Sequence, residues 1–202
     1  YFDVVLPLLE KRYGELFKSR KLIVRMTGIS EPEVMKKLGK DFFDVPFDFG
    51  IYPSAGEIAI RILADEADIL NRLKKKIAAR LKDRIYGWDE TPLDVVIGKI
   101  LARKKQMFAV AESCTGGLLA SRITASPGAS VYFRGGVVTY HSSAKTDLGV
   151  PEKFIKKHGE VSAQVACQLA ESVRFRMRSG FGLGITGVAG PGGGSSRKPV
   201  GL

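Results

Sequence analysis

Cysteine, histidine and tryptophan are scarce in this 202-residue chain, which has two cysteines, two histidines and one tryptophan. Cys114 and Cys167 are too few for a disulfide framework, and neither lies in the CxxC or Cys/His spacing of a metal site. No apolar run approaches the roughly 18 to 20 residues of a membrane-spanning helix, and the opening segment lacks the basic start of a signal peptide. We therefore expect a protein of the reducing cytoplasm, without a metal and without a membrane partner.

Acidic residues are fewer than basic ones: the chain has 21 aspartates and glutamates and 32 lysines and arginines. Residues 1–90 carry 17 basic and 15 acidic residues, whereas residues 91–202 carry 15 and 6. The second segment also holds 17 of the 23 glycines. A basic, glycine-rich half indicates an anionic partner, either a phosphorylated small molecule or a nucleic acid, and basicity for solubility alone is the alternative.

The change in composition near residues 88–92 marks the boundary between two domains. Ser30 is a good helix N-cap with Pro32 two residues later, and residues 53–56 (Pro-Ser-Ala-Gly) indicate a break. The elements predicted before the boundary are a strand over 21–29, a helix over about 31–38, a strand over 57–63 and a helix over about 66–85. They form a small α+β domain.

Beyond the boundary, strands and helices alternate, which predicts an α/β layer architecture. Thr91 and Ser162 are N-caps, and a polar turn is expected at residues 141–143. The predicted elements are a helix from 92 to about 101, a strand over 107–111, a helix over 118–124, a strand over 135–140, a helix over 163–177 and a strand over 181–186. The sequence begins and ends within predicted secondary-structure patterns, so we expect a fragment of a longer protein.

The segment AESCTGG, residues 111–117, follows an apolar run and opens a predicted helix. In such a strand–turn–helix the free amides of the helix start point outward and attract negative charge. Ser113 is therefore a candidate nucleophile, and the glycine pair lets a ligand approach the backbone closely. The alternative interpretation is that Ser113 or Thr115 only caps the helix. Cys114 is the rival nucleophile.

A serine nucleophile needs a base, and the two histidines are weak candidates. His158 lies in a basic segment, and no acidic residue is spaced to orient His141 in a triad. Lys145 lies just beyond a predicted strand end, where the active sites of α/β proteins gather. A buried lysine can accept a proton, and Tyr140 lies five residues before it. An ordinary surface lysine is the alternative.

The strand predicted over 181–186 opens into a glycine-rich loop, GVAGPGGG, at residues 187–194. Its small residues leave amides free to bind an oxyanion or a phosphate. The loop does not match GxxxxGK[ST], and Pro191 prevents a GxGxxG segment from opening a helix. A flexible loop without a ligand is the alternative.

Together, AESCTGG, the turn from Tyr140 to Lys145 and GITGVAGPGGG (residues 184–194) closely resemble the C-terminal domain of the CinA family. Stand-alone members of that domain family are the PncC-type nicotinamide-mononucleotide amidohydrolases. The resemblance covers residues 91–202 with three motifs in order, and residues 16–87 resemble the KH-type middle domain of full-length CinA proteins. It implies an α/β fold in which a small α+β KH-type domain precedes an α/β/α layered domain.

The resemblance also implies what surrounds these domains. Residues 1–15 are expected to be the remnant of a linker, and the C-terminal domain is expected to be truncated at its end. The molybdopterin-binding-like domain at the N-terminus of the family is expected to be missing. We further expect a homodimer, in which the KH-type domain is a linker or a dimerisation element.

The activity implied by the resemblance is hydrolysis of the carboxamide of nicotinamide mononucleotide to nicotinate mononucleotide and ammonia, in pyridine nucleotide salvage. Ser113 would attack the carbonyl and Lys145 would act as general base, with Tyr140 hydrogen-bonded beside them. Cys114 would be a packed small side chain. No cofactor and no metal are expected. The residues expected to hold the oxyanion or the substrate are Thr115, Gly116, Thr186, Gly187, Arg134, Gly192, Gly193 and Ser195.

One position departs from the family pattern, in which the turn reads Tyr-Ser-Asn-x-x-Lys. Here Ser142 stands in place of the usual Asn, which leaves a catalytically inactive CinA-type scaffold as one alternative. A nucleic-acid-associated competence or damage-inducible protein is another. KH domains clamp nucleic acid with a GxxG loop, and residues 16–87 contain no GxxG, so we do not expect nucleic-acid binding.

Overall fold

The computed structural model describes residues 4–13, 20–44 and 46–202. The chain divides into two compact units, Tyr1–Leu93 and Asp94–Leu202, close to the domain boundary predicted from the sequence. The predicted junction between linker and first domain, at residues 15 and 16, lies outside the described residues, and the KH-type assignment stays a prediction. Within the described ranges, no helix is both long enough and apolar enough to cross a membrane.

The first unit is a four-stranded antiparallel sheet in the order β2-β3-β1-β4. Its helices and strands are α1 (Val5–Tyr13), β1 (Arg20–Thr27), α2 (Glu31–Leu38), β2 (Asp48–Ser54), β3 (Glu57–Ala64), α3 (Ala67–Leu81) and β4 (Ile85–Gly87). Alternate residues of the two central strands, such as Val24 and Ile60, share one core with α2 and α3. This is the small α+β architecture that the sequence predicted.

The two helices of this core follow from local sequence. α2 begins after Ser30, whose amide donates to Glu33 Oε2 at 3.0 Å in a capping box. One face of α3 is apolar and buried along its whole length, at Ile69, Leu70, Leu73, Ile77 and Leu81. Both helix predictions are confirmed, although α3 ends at Leu81 rather than near residue 85.

β2 was not predicted from the sequence, because that segment contains Pro53. β2 pairs with β3 in continuous register from Asp48 opposite Leu63 to Ser54 opposite Glu57. It is the outer strand of its sheet, and an edge position tolerates a residue without an amide hydrogen. The predicted break is therefore confined to the turn between the two strands. The helix α1, within the predicted linker, and the short strand β4 were also not predicted.

The second unit is a three-stranded parallel sheet in the order β6-β5-β7. Its elements are α4 (Leu93–Arg103), β5 (Phe108–Glu112), α5 (Leu118–Thr124), β6 (Phe133–Val138), α6 (Ser142–Leu148), α7 (Glu152–His158), α8 (Ala163–Arg176) and β7 (Phe181–Ile185). Ala109 and Ala111 face a core shared with α6, α7 and α8, whereas Val110 faces a second core that includes Ile123 of α5. Helices therefore cover both faces, and the predicted α/β/α layers are confirmed.

A short helix, α6, begins where the sequence predicted a polar turn over residues 141–143. His141 is its N-cap, and the Nδ1 of His141 accepts a hydrogen bond from the Ser143 amide at 3.2 Å. Histidine is not among the residues that commonly cap helices, so the sequence carried no start signal here. The correction matters because Lys145 lies on this helix rather than in a turn.

Two glycines bring β7 directly against α8. A Cβ at Gly184 would lie 2.1 Å from the carbonyl oxygen of Ala166, and one at Gly182 would lie 2.0 Å from that of Ala170. No real side chain fits at such distances, so the alternating glycines of FGLGI are what allow the helix backbone to approach the strand. The position of β7, and of the loop that follows it, depends on this contact.

The carboxylate of Glu112, the last residue of β5, lies at the amino end of α5. Glu112 is 1% exposed and accepts hydrogen bonds from the amides of Leu119 at 3.0 Å and Ala120 at 2.8 Å. Burial opposes its ionisation, but the Thr115 hydroxyl and the amides of Ala120, Leu119 and Gly117 outweigh burial and lower the pKa of Glu112.

We expect Gly184→Ala to destabilise the second unit by about 1 to 3 kcal/mol or more, because the added methyl group meets the backbone of α8. Gly192→Ala is the matched control, since a Cβ at Gly192 meets nothing within 4 Å. The control should change the free energy of unfolding by less than about 0.5 kcal/mol. Urea unfolding followed by circular dichroism measures both. Equal stabilities would contradict the close packing of β7 on α8.

We expect Glu112→Gln to lower the free energy of unfolding by about 1 to 3 kcal/mol near neutral pH, because glutamine offers the α5 amides one neutral acceptor oxygen where the carboxylate offers two charged ones. The folded pKa of Glu112 is lowered, so its stabilisation is present above the unfolded pKa of about 4.3 and is lost as the pH falls through the folded pKa. Urea unfolding across this range should show the two proteins converging on acidification. If the difference in free energy of unfolding between the two proteins did not depend on pH, the charge of Glu112 would not be the source of the stabilisation.

Candidate active site at the carboxyl ends of the parallel strands

The three parallel strands of the second unit end at one edge, and a predicted site residue follows each of them. Ser113 directly follows β5, Tyr140 lies two residues beyond β6, and Thr186 directly follows β7. The last residue of β5 pairs with the last residues of both β6 and β7, so the three strand ends lie level. Carboxyl ends of parallel strands are where α/β proteins bind ligands.

Hydrogen bonds continue the sheet ladder past these strand ends. The Ser113 amide donates to the carbonyl oxygen of Ile185 at 2.9 Å, and the Thr139 amide donates to that of Glu112 at 2.7 Å. Ser113 is 8% exposed and Thr139 is fully buried. The candidate nucleophile is therefore held between the ends of β6 and β7.

Lys145 lies on α6, and its side chain reaches back to the end of β6. Its Nζ donates to the carbonyl oxygens of Thr139 at 3.1 Å and Tyr140 at 3.3 Å, and to Glu160 Oε2 at 3.2 Å. The residue is 1% exposed. Three acceptors, one of them a carboxylate, match the three hydrogens of an ammonium group. Lys145 is thus a buried, fully bonded cation and not the ordinary surface lysine of the alternative interpretation.

Ser113 and Lys145 are connected through the backbone between them. Lys145 Nζ bonds to the Thr139 carbonyl, the Thr139 amide bonds to the Glu112 carbonyl, and Ser113 is the next residue. The Ser113 hydroxyl itself is not a hydrogen-bond partner of Lys145 in the part of the chain that the structure describes. Direct proton transfer between the two side chains therefore requires Lys145 to exchange one of its three acceptors.

Neither Ser113 nor Thr115 caps α5. The alternative interpretation of AESCTGG, in which one of them serves only as a helix cap, is therefore wrong. The N-cap is Gly117, without a side-chain cap, and the amides of the first turn are bonded by Glu112. Gly116 and Gly117 have φ of 59° and 100°, in the left-handed region that glycine adopts without strain. The turn thus leaves the Ser113 hydroxyl unused by the helix.

The glycine loop lies against Cys114 on one side and the last residues of the chain on the other. A Cβ at Gly187 would lie 3.2 Å from Cys114 Sγ and 2.1 Å from the Leu202 carbonyl oxygen. The Val188 amide donates to that same carbonyl at 3.0 Å, and Val188 accepts from the Gly201 amide at 2.8 Å. Cys114, only partly exposed, occupies a packing position between turn and loop.

Several predicted substrate residues lie apart from the strand ends. Gly192, Gly193 and Ser195 are exposed in the loop, and their role in binding stays a prediction. Arg134 is the second residue of β6 and lies near the amino end of that strand. Four residues separate it from the carboxyl end, a span of about 13 Å in a strand. The structure therefore does not bring Arg134 to the site.

Tyr140 takes part through its backbone rather than through its hydroxyl. Its carbonyl oxygen accepts from Lys145, whereas the residue is 69% exposed. Among the described residues its hydroxyl forms no hydrogen bond with Ser113 or Lys145. The contact predicted for the Tyr140 side chain is therefore not present in this structure.

Glu160 and Thr139 were not predicted as site residues from the sequence. The carboxylate of Glu160 bonds to Lys145, and its carbonyl oxygen accepts from the Thr186 hydroxyl at 2.9 Å. An acidic residue two positions after the basic run at residues 156–158 was the signal that could have revealed it. Thr139 was recognisable as a polar residue after an apolar strand. No group of three His, Cys, Asp or Glu side chains in the described ranges is placed to hold a metal ion.

Comparison with known proteins identifies relatives across the chain. Residues 90–202 match the family model of the CinA C-terminal domain. A CinA-like protein of Desulfovibrio desulfuricans is 41% identical over 207 residues, which cover 99% of this chain and 48% of the relative. A CinA-like protein of Gloeobacter violaceus is 43% identical over 209 residues, which cover 99% and 49%. The chain thus spans about half the length of these curated relatives.

Solved structures agree with the sequence comparisons. A competence/damage-inducible protein from Agrobacterium tumefaciens has a TM-score of 0.52 and 42% identity, over 56% of this chain and 73% of that chain. A CinA superfamily protein from Escherichia coli has a TM-score of 0.52 and 32% identity, over 54% and 64%. Since the family model covers more than half of the sequence, residues 90–202, the chain belongs to the CinA family.

Proposed function

We propose that the second unit hydrolyses the carboxamide of nicotinamide mononucleotide, giving nicotinate mononucleotide and ammonia, with Ser113 and Lys145 as the reacting pair. The observation that carries this proposal is the buried Lys145, whose Nζ bonds to the strand end beside Ser113. A hydroxyl nucleophile and an amine base are sufficient for amide hydrolysis without a metal. The resemblance to PncC-type amidohydrolases supports the choice of substrate.

In the proposed reaction, Ser113 Oγ attacks the carboxamide carbon while the neutral form of Lys145 accepts the hydroxyl proton. The tetrahedral intermediate then breaks its C–N bond, and Lys145 returns the proton to the leaving nitrogen, which departs as ammonia. Water hydrolyses the resulting ester on Ser113 and regenerates the enzyme. In the structure Lys145 holds three acceptors, so it must release a proton and exchange a partner before the first step.

The substrate contacts follow the same edge of the sheet. Amides near Thr186 and Gly187 would hold the oxyanion, and Thr115 and Gly116 would line the attacking side. The exposed Gly192, Gly193 and Ser195 are available for ribose and phosphate. The 15 basic and 6 acidic residues of this segment favour a phosphorylated substrate over a neutral one.

The proposal also includes the oligomeric state and location of the protein and the role of its first unit. A homodimer, a cytoplasmic location and a linking or dimerising role for the first unit are parts of the proposal. Ser142, which replaces the usual Asn of the family, is the first residue of α6, close in sequence to Lys145. An inactive CinA-type scaffold is the alternative that the activity measurement decides.

We expect the wild-type chain to release ammonia from nicotinamide mononucleotide, and Ser113→Ala to abolish this release because the variant lacks the proposed nucleophile. Lys145→Met should lower kcat by about 10²- to 10⁴-fold, the usual contribution of a general base. Methionine keeps the packing volume of the buried lysine while removing its amine. Coupled detection of ammonia measures both variants, and circular dichroism verifies that they fold.

Ser121→Ala, at an exposed serine of α5, and Lys157→Ala, at an exposed lysine of α7, are the matched controls. Both should keep wild-type activity. A wild-type protein that releases no ammonia would favour the inactive scaffold. Activity that persists in Ser113→Ala but disappears in Cys114→Ala would assign the nucleophile to the cysteine instead.

A further inference from the structure

Lys145 and bulk water are separated by the rest of the fold. The residue is 1% exposed, and two of its three acceptors are backbone carbonyl oxygens, those of Thr139 and Tyr140. A peptide carbonyl does not take up a proton in the pH range where proteins work. A proton that leaves Lys145 therefore needs a different acceptor.

Glu160 is that acceptor by position and by chemistry. Its Oε2 lies 3.2 Å from Lys145 Nζ, and its side chain is 49% exposed, so one carboxylate touches both the buried amine and the solvent. A carboxylate at hydrogen-bond distance can accept a proton and pass it to water. Glu160 directly follows Gly159, the C-cap of α7, and its carbonyl oxygen accepts a hydrogen bond from the Thr186 hydroxyl. The backbone contact holds the residue in place without help from its carboxylate.

The other titratable side chains near this edge are engaged elsewhere. The carboxylate of Glu112 is bonded to amides of α5. His141 Nδ1 interacts with Ser143 at the start of α6. The ring of His158 packs on Phe154, with centroids 4.4 Å apart. Among the described residues, the carboxylate of Glu160 is thus the titratable group in contact with the Lys145 amine.

We propose that Glu160 is a positioning residue that holds Lys145 and carries its proton to and from water. In the outward step, an N–H bond of the Lys145 ammonium breaks, an O–H bond forms on Glu160, and water then takes the proton from Glu160. Lys145 is left neutral. Its Nζ then carries a lone pair that can accept a hydrogen bond from the Ser113 hydroxyl. The catalytic part of this inference rests on the proposed amidohydrolase function, and the proton path itself does not.

The first test compares Glu160→Gln, Glu160→Ala and the wild type. Both variants should lower kcat for nicotinamide mononucleotide by about 10- to 100-fold with little change in KM, because proton transfer is impaired and binding is not. Added acetate should restore activity to Glu160→Ala, since alanine leaves space for a small carboxylate beside Lys145. It should not restore Glu160→Gln, whose amide fills the same space. Unchanged kcat in both variants, or failure of acetate to rescue Glu160→Ala, would overturn the relay.

Glu152→Gln is the matched control, because Glu152 also forms an ion pair with a lysine, Lys156, at 2.6 Å on an exposed surface of α7. It should behave as wild type with and without acetate. An equal loss of activity in Glu152→Gln would show that any lost negative charge in this region has the same effect, and would also overturn the relay.

A second measurement does not depend on activity. Hydrogen exchange of the Lys145 ammonium with water, followed by NMR of ¹⁵N-labelled lysine, should be slowed about 10-fold in Glu160→Gln and restored by acetate in Glu160→Ala. If nicotinamide mononucleotide is not hydrolysed but exchange slows, the proposed function fails while the proton path stands. Exchange at the wild-type rate in Glu160→Gln would refute the path whatever the substrate.

Discussion

The burial of one positive charge holds the candidate site together. Removing an ammonium group from water costs of the order of several kcal/mol unless acceptors replace the water. Lys145 finds two carbonyl oxygens just beyond β6 and the carboxylate of Glu160. Because Thr139 is itself bonded to Glu112, the same contacts tie α6, the end of β6 and the end of β5 into one arrangement. The segment after α7 joins them through Glu160. The requirement of the buried Lys145 ammonium group for acceptors thus brings four parts of the chain together.

A second buried charge, the carboxylate of Glu112, is negative and accepts hydrogen bonds where Lys145 donates them. Glu112 binds the amides at the start of α5, whereas Lys145 binds carbonyl oxygens at the end of β6. Each charge is therefore satisfied mainly by the backbone, and Ser113 lies directly beside the first and two hydrogen bonds from the second. Since Glu112 takes the role of helix cap, the serine hydroxyl remains available for chemistry. Such fixed surroundings are what a reaction that develops charge requires, because they need little rearrangement as it proceeds.

The predictable part of the fold is the part with strong local signals. Ser30 begins α2 as predicted, and the hydroxyl of Ser162 caps α8 by accepting from the Val165 amide at 3.3 Å. The strands over residues 107–111 and 181–186 were likewise found within one residue of their predicted ends. β2 was missed because the penalty of Pro53 depends on whether a strand is at an edge, which only the sheet order decides. α6 was missed because a histidine caps it.

The amino-acid sequence by itself indicated a boundary near residues 88–92 and the layered class of the second domain, and it singled out Ser113 and Lys145 as candidate site residues. Periodicity, caps and strand–turn–helix motifs are local, so they can be recognised without coordinates. Only the tertiary structure decided which groups surround Lys145, that Tyr140 contributes a carbonyl, that Arg134 lies toward the opposite end of its strand, and that Glu160 belongs to the site. Those outcomes depend on contacts between residues distant in sequence and on which atoms are removed from water, and neither is written in a local pattern.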